Sequence, residues 1–185
     1  MLYTINENTL QISTGDITKQ FEDAIVNAAN GSLLGGGGVD GAIHKAAGPE
    51  LLEACKNIRK NELNGEYLQT GEVVMTKGYN LPAKYVIHTV GPIWDESLKE
   101  EQEKQLANCY RNALNFAKKK ELKSIVFPSI STGAYGYPIE LASSIALETV
   151  ISFLENNTFG KVIFILFSEK DFEIYKRRIK SIVSN

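Results

Sequence analysis

The 185-residue chain carries only two cysteines and two histidines, and its longest apolar run, Val162 to Phe167, falls far short of the roughly 20 residues that a helical membrane span needs. Cys55 and Cys109 stand far apart with no CxxC, and neither His44 nor His88 joins them at a metal-ligand spacing. That pattern predicts reduced structural thiols, no metal site and no cofactor. An excess of one charge is missing too. With 20 Lys and Arg against 22 Asp and Glu, the formal net charge is -2, and the pI is about 5.8. Such a balance gives no electrostatic footprint for general nucleic-acid or membrane-surface binding. The clusters Lys118-Lys119-Lys120 and Lys176-Arg177-Arg178 read as solvated helix faces. The amino-terminal residues lack the basic and apolar regions of a signal peptide, so a cytoplasmic protein is expected. No internal repeat, linker or low-complexity segment interrupts the chain.

What is present is ordinary globular material, 43% hydrophobic and 23% charged, at a length that suits one domain over residues 1–185. Strands are expected at 2–5 and 9–13, a hairpin around Asn6-Glu7-Asn8, and again at 24–28, 72–77, 85–89, 124–127 and 162–166. Helices are expected at 39–47, at 49–60 behind Pro49, at 98–120, at 139–154 and at 171–183. Strands alternating with helices imply a three-layer α/β/α domain, and the opening hairpin makes its central sheet mixed.

Two segments carry no Lys or Arg and are rich in glycine: 31–38 (GSLLGGGG) and 129–136 (SISTGAYG). Each follows an expected strand and precedes an expected helix, so both leave the carboxyl ends of strands and can line one crevice. Glycine lets a backbone approach a ligand closely, and the start of a helix offers free N–H groups to an anion. Two such cradles suit a ligand with phosphates that needs no basic pocket. Polar residues flank them. Asp16 precedes a short helical stretch and would cap it; Asn30 precedes Gly31 and suits a turn; Asp40 lies at a helix start, where carboxylates complement the dipole.

The segments Gly15-Asp16-Ile17-Thr18, Val26-Asn27-Ala28-Ala29-Asn30, Gly36-Gly37-Gly38-Val39-Asp40-Gly41-Ala42-Ile43-His44 and Pro128 to Pro138 closely resemble the macrodomain family, its MacroD-like branch best. They keep the family's order, and the resemblance covers nearly the whole chain. It implies a macrodomain fold, ADP-ribose as ligand, hydrolysis of mono-ADP-ribose from acidic side chains and deacetylation of O-acetyl-ADP-ribose. It implies catalytic roles for Asp40 and Asn30. Asp16 would accept from the adenine amine, with Ile17 supplying apolar contact and an N–H. Gly36, Gly37 and Gly38 would leave space for the distal ribose, and Ser131, Thr132, Gly133, Ala134, Tyr135 and Gly136 would wrap the diphosphate. An aromatic near adenine is expected after the last strand, where both Phe167 and Phe172 are available.

A carboxylate at position 40 would orient or deprotonate water for attack at an anomeric carbon or an acetyl carbonyl; assistance by a substrate phosphate is the competing route. Asn27 is expected to tie the strand end to a neighbouring loop, His44, on the helix that packs behind the site, to be structural or partly exposed, and His88 to be a satisfied core histidine. The expected partners are ADP-ribose, O-acetyl-ADP-ribose and mono-ADP-ribosylated proteins. Rival readings are a non-catalytic ADP-ribose reader, which needs the cradles but no positioned carboxylate, and a phosphatase acting on ADP-ribose-1''-phosphate.

Overall fold

Asn6, at φ 47°, and Glu7 turn the chain between β1 (Leu2–Ile5) and β2 (Asn8–Thr14), which pair as an antiparallel hairpin. The computed structural model describes residues 1–184. After β2 come β3 (Ala24–Ala29), α1 (Gly38–Ala47), α2 (Pro49–Asn61), β4 (Val73–Lys77) and β5 (Tyr85–Val90). The chain continues through α3 (Lys99–Lys119), β6 (Ser124–Phe127), α4 (Ile139–Asn156), β7 (Lys161–Leu166) and α5 (Glu169–Val183). The seven strands form one sheet in the order β1-β2-β7-β6-β3-β5-β4, parallel from β2 to β5 and antiparallel only at its two edges.

Expected and observed elements differ only at their ends, for local reasons. The Ser168 hydroxyl accepts from the N–H of Asp171 at 3.1 Å, so α5 begins before residue 171. The Asp95 carboxylate caps a 3-10 turn over Glu96–Leu98, and α3 starts only after it. Thr14 pairs with Leu166, which carries β2 one residue further than the apolar alternation suggests.

The continuous apolar runs of the central strands serve two cores at once, because side chains alternate across a sheet. Val162, Phe164 and Leu166 of β7, with Ile125 and Phe127 of β6, face the layer of α3, α4 and α5. Ile163 and Ile165 of β7, Val126 of β6 and Ile25 of β3 face α1 and α2. From β3 the chain leaves into α1 on one face, and from β6 it leaves into α4 on the other. These two strands are neighbours, so the sheet's switch point lies between them, where a crevice opens beyond the carboxyl ends of the strands. At the opposite end the chain is held by Asn8. Its amide donates to Leu154 O (2.8 Å) and Asn157 O (2.7 Å) and accepts from the N–H groups of Phe159 (2.7 Å) and Gly160 (2.9 Å).

Candidate active site

Asn30 ends β3 and builds the first glycine loop around its own amide. Its Oδ1 accepts from the N–H of Ser32 at 3.1 Å and from the Ser32 hydroxyl, while its Nδ2 donates to Gly35 O at 2.8 Å. The turn-forming role is therefore real, and it leaves one amide hydrogen free for a ligand. The loop runs into α1, whose N-cap, Gly37, offers no side-chain acceptor. Among the described residues, the N–H groups of Gly38, Val39 and Asp40 have no acceptor, so the positive end of α1 is open.

Asp40 sits in this first turn at 5% exposure. Its Oδ1 accepts from Asn27 Nδ2 at 2.8 Å and lies 3.5 Å from His44 Nε2. Asn27 thus ties the strand end to a helix rather than to a loop, and His44 flanks the carboxylate instead of merely packing behind it. No protein group donates to Oδ2 among the described residues. It faces Gly36, where an added Cβ would lie 3.1 Å from Oδ2 and 3.3 Å from Asn30 Nδ2, so any side chain there would crowd both groups. Burial pushes the Asp40 carboxyl above the usual aspartate range, against the opposing pull of the Asn27 hydrogen bond and the His44 charge. A carboxylate with raised proton affinity and one open oxygen is suited to accept a proton from water.

The second glycine loop leaves β6 through Pro128. The Ile130 N–H donates to Tyr110 Oη at 3.0 Å, Tyr137 N–H to Ser131 O at 2.9 Å, and Gly136 N–H to Gly133 O at 3.0 Å. Those bonds fix the loop's shape and leave the N–H groups of Ser131 through Tyr135 without acceptors among the described residues. Ser131 takes φ 67°, and its buried hydroxyl has no partner among the described residues. Trp94 N–H donates to Tyr135 O at 2.8 Å, which anchors the loop to the segment after β5. The Tyr135 phenol is pushed up by burial and then by the Asp40 charge, which places it within electrostatic reach of that carboxylate.

Together the loops enclose a cleft of about 310 Å³. Asn30, Gly36, Gly37, Gly38, Asp40, Ser131, Gly133, Ala134 and Tyr135 line it, whereas Thr132 and Gly136 belong to the loop but not to the lining. Asp16 and Ile17 lie apart, at the carboxyl end of β2. Asp16 caps the turn, its Oδ1 accepting from Thr18 N (2.9 Å) and Thr18 Oγ1 (2.6 Å), and these bonds hold its carboxyl below the usual range. Ile17, 6% exposed, packs into the α1–α2 core beside the capped turn. Phe167 is 94% exposed just beyond β7, while Phe172 packs against the core. Sequence reasoning missed Gly91, which also lines the cleft, as does Ser129 at the start of the second loop. Gly91 follows the parallel strand β5, and the rule that picked out the other two loops would have found it. Among the described residues no group of three or more His, Cys, Asp or Glu is placed to hold a metal ion, and no helix is long and apolar enough to cross a membrane.

The family model described as Macro domain matches residues 26–146. The solved structure of the Oceanobacillus iheyensis macrodomain mutant G37V with ADPR aligns at a TM-score of 0.98 and 60% identity, covering 100% of this chain and 99% of that one. The ADP-ribose glycohydrolase MACROD2 of Xenopus laevis is 53% identical over 167 residues, which are 89% of this chain and 38% of that longer protein. The O-acetyl-ADP-ribose deacetylase of Escherichia fergusonii is 46% identical over 172 residues, 92% of this chain and 95% of that protein.

Proposed function

This chain belongs to the Macro domain family, and we propose that it is an ADP-ribose-binding hydrolase that removes mono-ADP-ribose from acidic side chains and deacetylates O-acetyl-ADP-ribose. The free N–H groups of the two glycine loops hold the diphosphate, which explains a phosphate site without Lys or Arg. The second carboxylate oxygen of Asp16 takes the adenine amine, and Phe167, solvent-exposed at the same end of the sheet, supplies the aromatic face. Asn30 gives its remaining amide hydrogen to the distal ribose.

The observation that carries the reading is Asp40 Oδ2, unpartnered and turned toward Gly36 in the cleft. There it takes a proton from a water molecule as the water oxygen bonds to the anomeric carbon. The bond from that carbon to the modified side chain breaks, and a protein carboxylate leaves. With the acetyl ester, the same activated water attacks the acetyl carbonyl, the ester C–O bond breaks, and the ribose oxygen takes the proton back from Asp40 and leaves as a hydroxyl, freeing acetate. No step runs through a metal ion, and chelation is expected to leave turnover unchanged. The names of relatives support this pair of reactions, one being called an ADP-ribose glycohydrolase and another an O-acetyl-ADP-ribose deacetylase. The two free, buried thiols, Cys55 and Cys109, suit the reducing cytoplasm proposed as its location.

Asp40→Ala is expected to lower hydrolysis of Glu- or Asp-linked ADP-ribose by roughly 10²- to 10⁴-fold, the range of general acid–base catalysis, while ADP-ribose affinity by calorimetry changes far less. Asn30→Ala weakens both, since it shapes the loop as well as meeting the ribose. A folded Asp40→Ala protein with near-normal turnover would shift the chemistry to the substrate phosphate. Tight binding by an inert wild type would make the protein a reader.

A further inference from the structure

We propose that His88 is a positioning residue for this reaction: it locks the side-chain amide of Asn27 in the orientation that leaves Asp40 Oδ2 open to the cleft. The proposal rests on the reading of Asp40 as the base. Asn27 Nδ2 lies 2.8 Å from Asp40 Oδ1 and 3.1 Å from His88 Nδ1. One NH₂ group therefore spends both hydrogens, one on the carboxylate and one on the imidazole. His88 Nδ1 must then be an acceptor, and the ring proton sits on Nε2, 2.9 Å from Thr76 Oγ1 on β4.

The Asn27 amide depends on these two acceptors, because its own Oδ1 is buried and has no partner among the described residues. Nothing at the oxygen end tells the amide which way to face. Flipped, it would set Oδ1 against the Asp40 carboxylate, and His88 could meet it only by moving its ring proton from Nε2 to Nδ1, which gives up the donation to Thr76 Oγ1. Without His88 Nδ1 that second cost is gone, and the flip becomes easier. Asp40 then loses its donor and is free to turn.

The surroundings keep His88 in this role. It is fully buried, with Cys55 Sγ of α2 at 4.0 Å from Nε2 as a further neighbour. Burial, and then the charge of His44, hold its imidazole down at about 3, so it stays neutral wherever Asp40 is ionised. The titratable groups around Asp40 are His44 on its own helix, Cys55 on α2 and Tyr135 on the second loop. The Cys55 thiol is pushed up to about 12 by burial and then by Asp40, and the Tyr135 phenol is raised for the same two reasons, so neither loses its proton near neutrality.

Two substitutions separate the halves of the imidazole. His88→Asn keeps an acceptor near the Nδ1 position, and His88→Gln places its amide near Nε2 and offers Asn27 nothing. His88→Gln is expected to lower kcat about 10²-fold, the cost of a catalytic group displaced by about 1 Å, with ADP-ribose affinity unchanged and the acid limb of the pH–rate profile moved to higher pH. His88→Asn restores most of kcat and the wild-type profile. Equal loss in both variants, or a kcat loss without movement of the acid limb, would overturn the proposal. If neither variant folds, imidazole nitrogen NMR of the wild type decides. A neutral Nε2–H ring from about pH 5 to 8 supports it, and an Nδ1–H tautomer or protonation in the range expected of free histidine overturns it. If the wild type proves to be inactive, the hydrolase reading fails on its own. The Asp40 carboxyl carbon, titrating higher in His88→Gln than in wild type, then still decides whether His88 acts through Asn27.

Discussion

Asp40 spends one oxygen on the protein and keeps the other for a ligand, and that division costs stability. Burial raises its carboxyl in the folded state, so the fold holds this proton more tightly than the unfolded chain does. Its contribution is therefore complete below the unfolded aspartate range, about pH 4, and is lost as pH rises through the raised folded value. Asp23 behaves in the opposite sense. Burial pushes its carboxyl up, but the Lys123 N–H (2.8 Å) and the Lys84 ammonium (3.2 Å) win and hold it down, so its contribution is lost in acid. Comparison with Asp40→Asn isolates the first effect, since Asp23 is present in both proteins. The variant is expected to melt above wild type at pH 7, with the difference closing near pH 3, as thermal melts at the two pH values would show. A constant difference across that range would mean that Asp40 carries no such charge penalty. Gain in stability alongside loss of turnover is the mark of a functional residue rather than a packing one.

At the scale of elements, the cleft is held open by structure at the far end of the sheet. The parallel strands fix the spacing between their carboxyl ends, and β2 can join them only because Asn8 fastens its start to the turn between α4 and β7. Asn8 is 1% exposed, and its amide makes four hydrogen bonds. Asn8→Ala leaves two carbonyls and two N–H groups short of partners, at an expected cost of roughly 2–4 kcal/mol. Urea unfolding checks this through a lower midpoint at unchanged slope. A change within about 0.5 kcal/mol would mean that water or a relaxed turn replaces the amide. The effect on ADP-ribose affinity in the folded protein is expected to be small, because no cleft residue touches this end.

For the whole molecule, the ligand site lies on a seam, with the first loop carried by the α1–α2 layer and the second by the α3–α5 layer. A ligand spanning both stabilises the folded state by about 2.7 kcal/mol at a hundredfold excess over Kd, or about 5–11 °C in Tm. No shift at millimolar ADP-ribose would sink the binding assignment. Much of this architecture could be read in the sequence because it is written locally. Apolar runs, helical stripes and glycine loops each depend on neighbours a few residues away, and the order of Asn30, Asp40 and Ser131 through Tyr135 marked the crevice. What stayed hidden depends on the tilt of one element over another. The contact of Asn27 with Asp40 needs α1 to lean across the end of β3, and the link on to His88 and Thr76 crosses three strands.

Gly91 and Ser131 illustrate how such contacts constrain descent. A Cβ at Gly91 would collide with the Ser131 hydroxyl and lie 2.7 Å from Ile130 Cγ2, while Ser131 itself occupies a backbone region where glycine is at ease. A lineage can therefore lose the serine at little conformational cost, but residue 91 cannot enlarge until Ile130 as well as Ser131 has made room. The order of substitutions is fixed before selection for any new substrate begins, and the rim of the cleft near β5 can drift only after the wall opposite has given way.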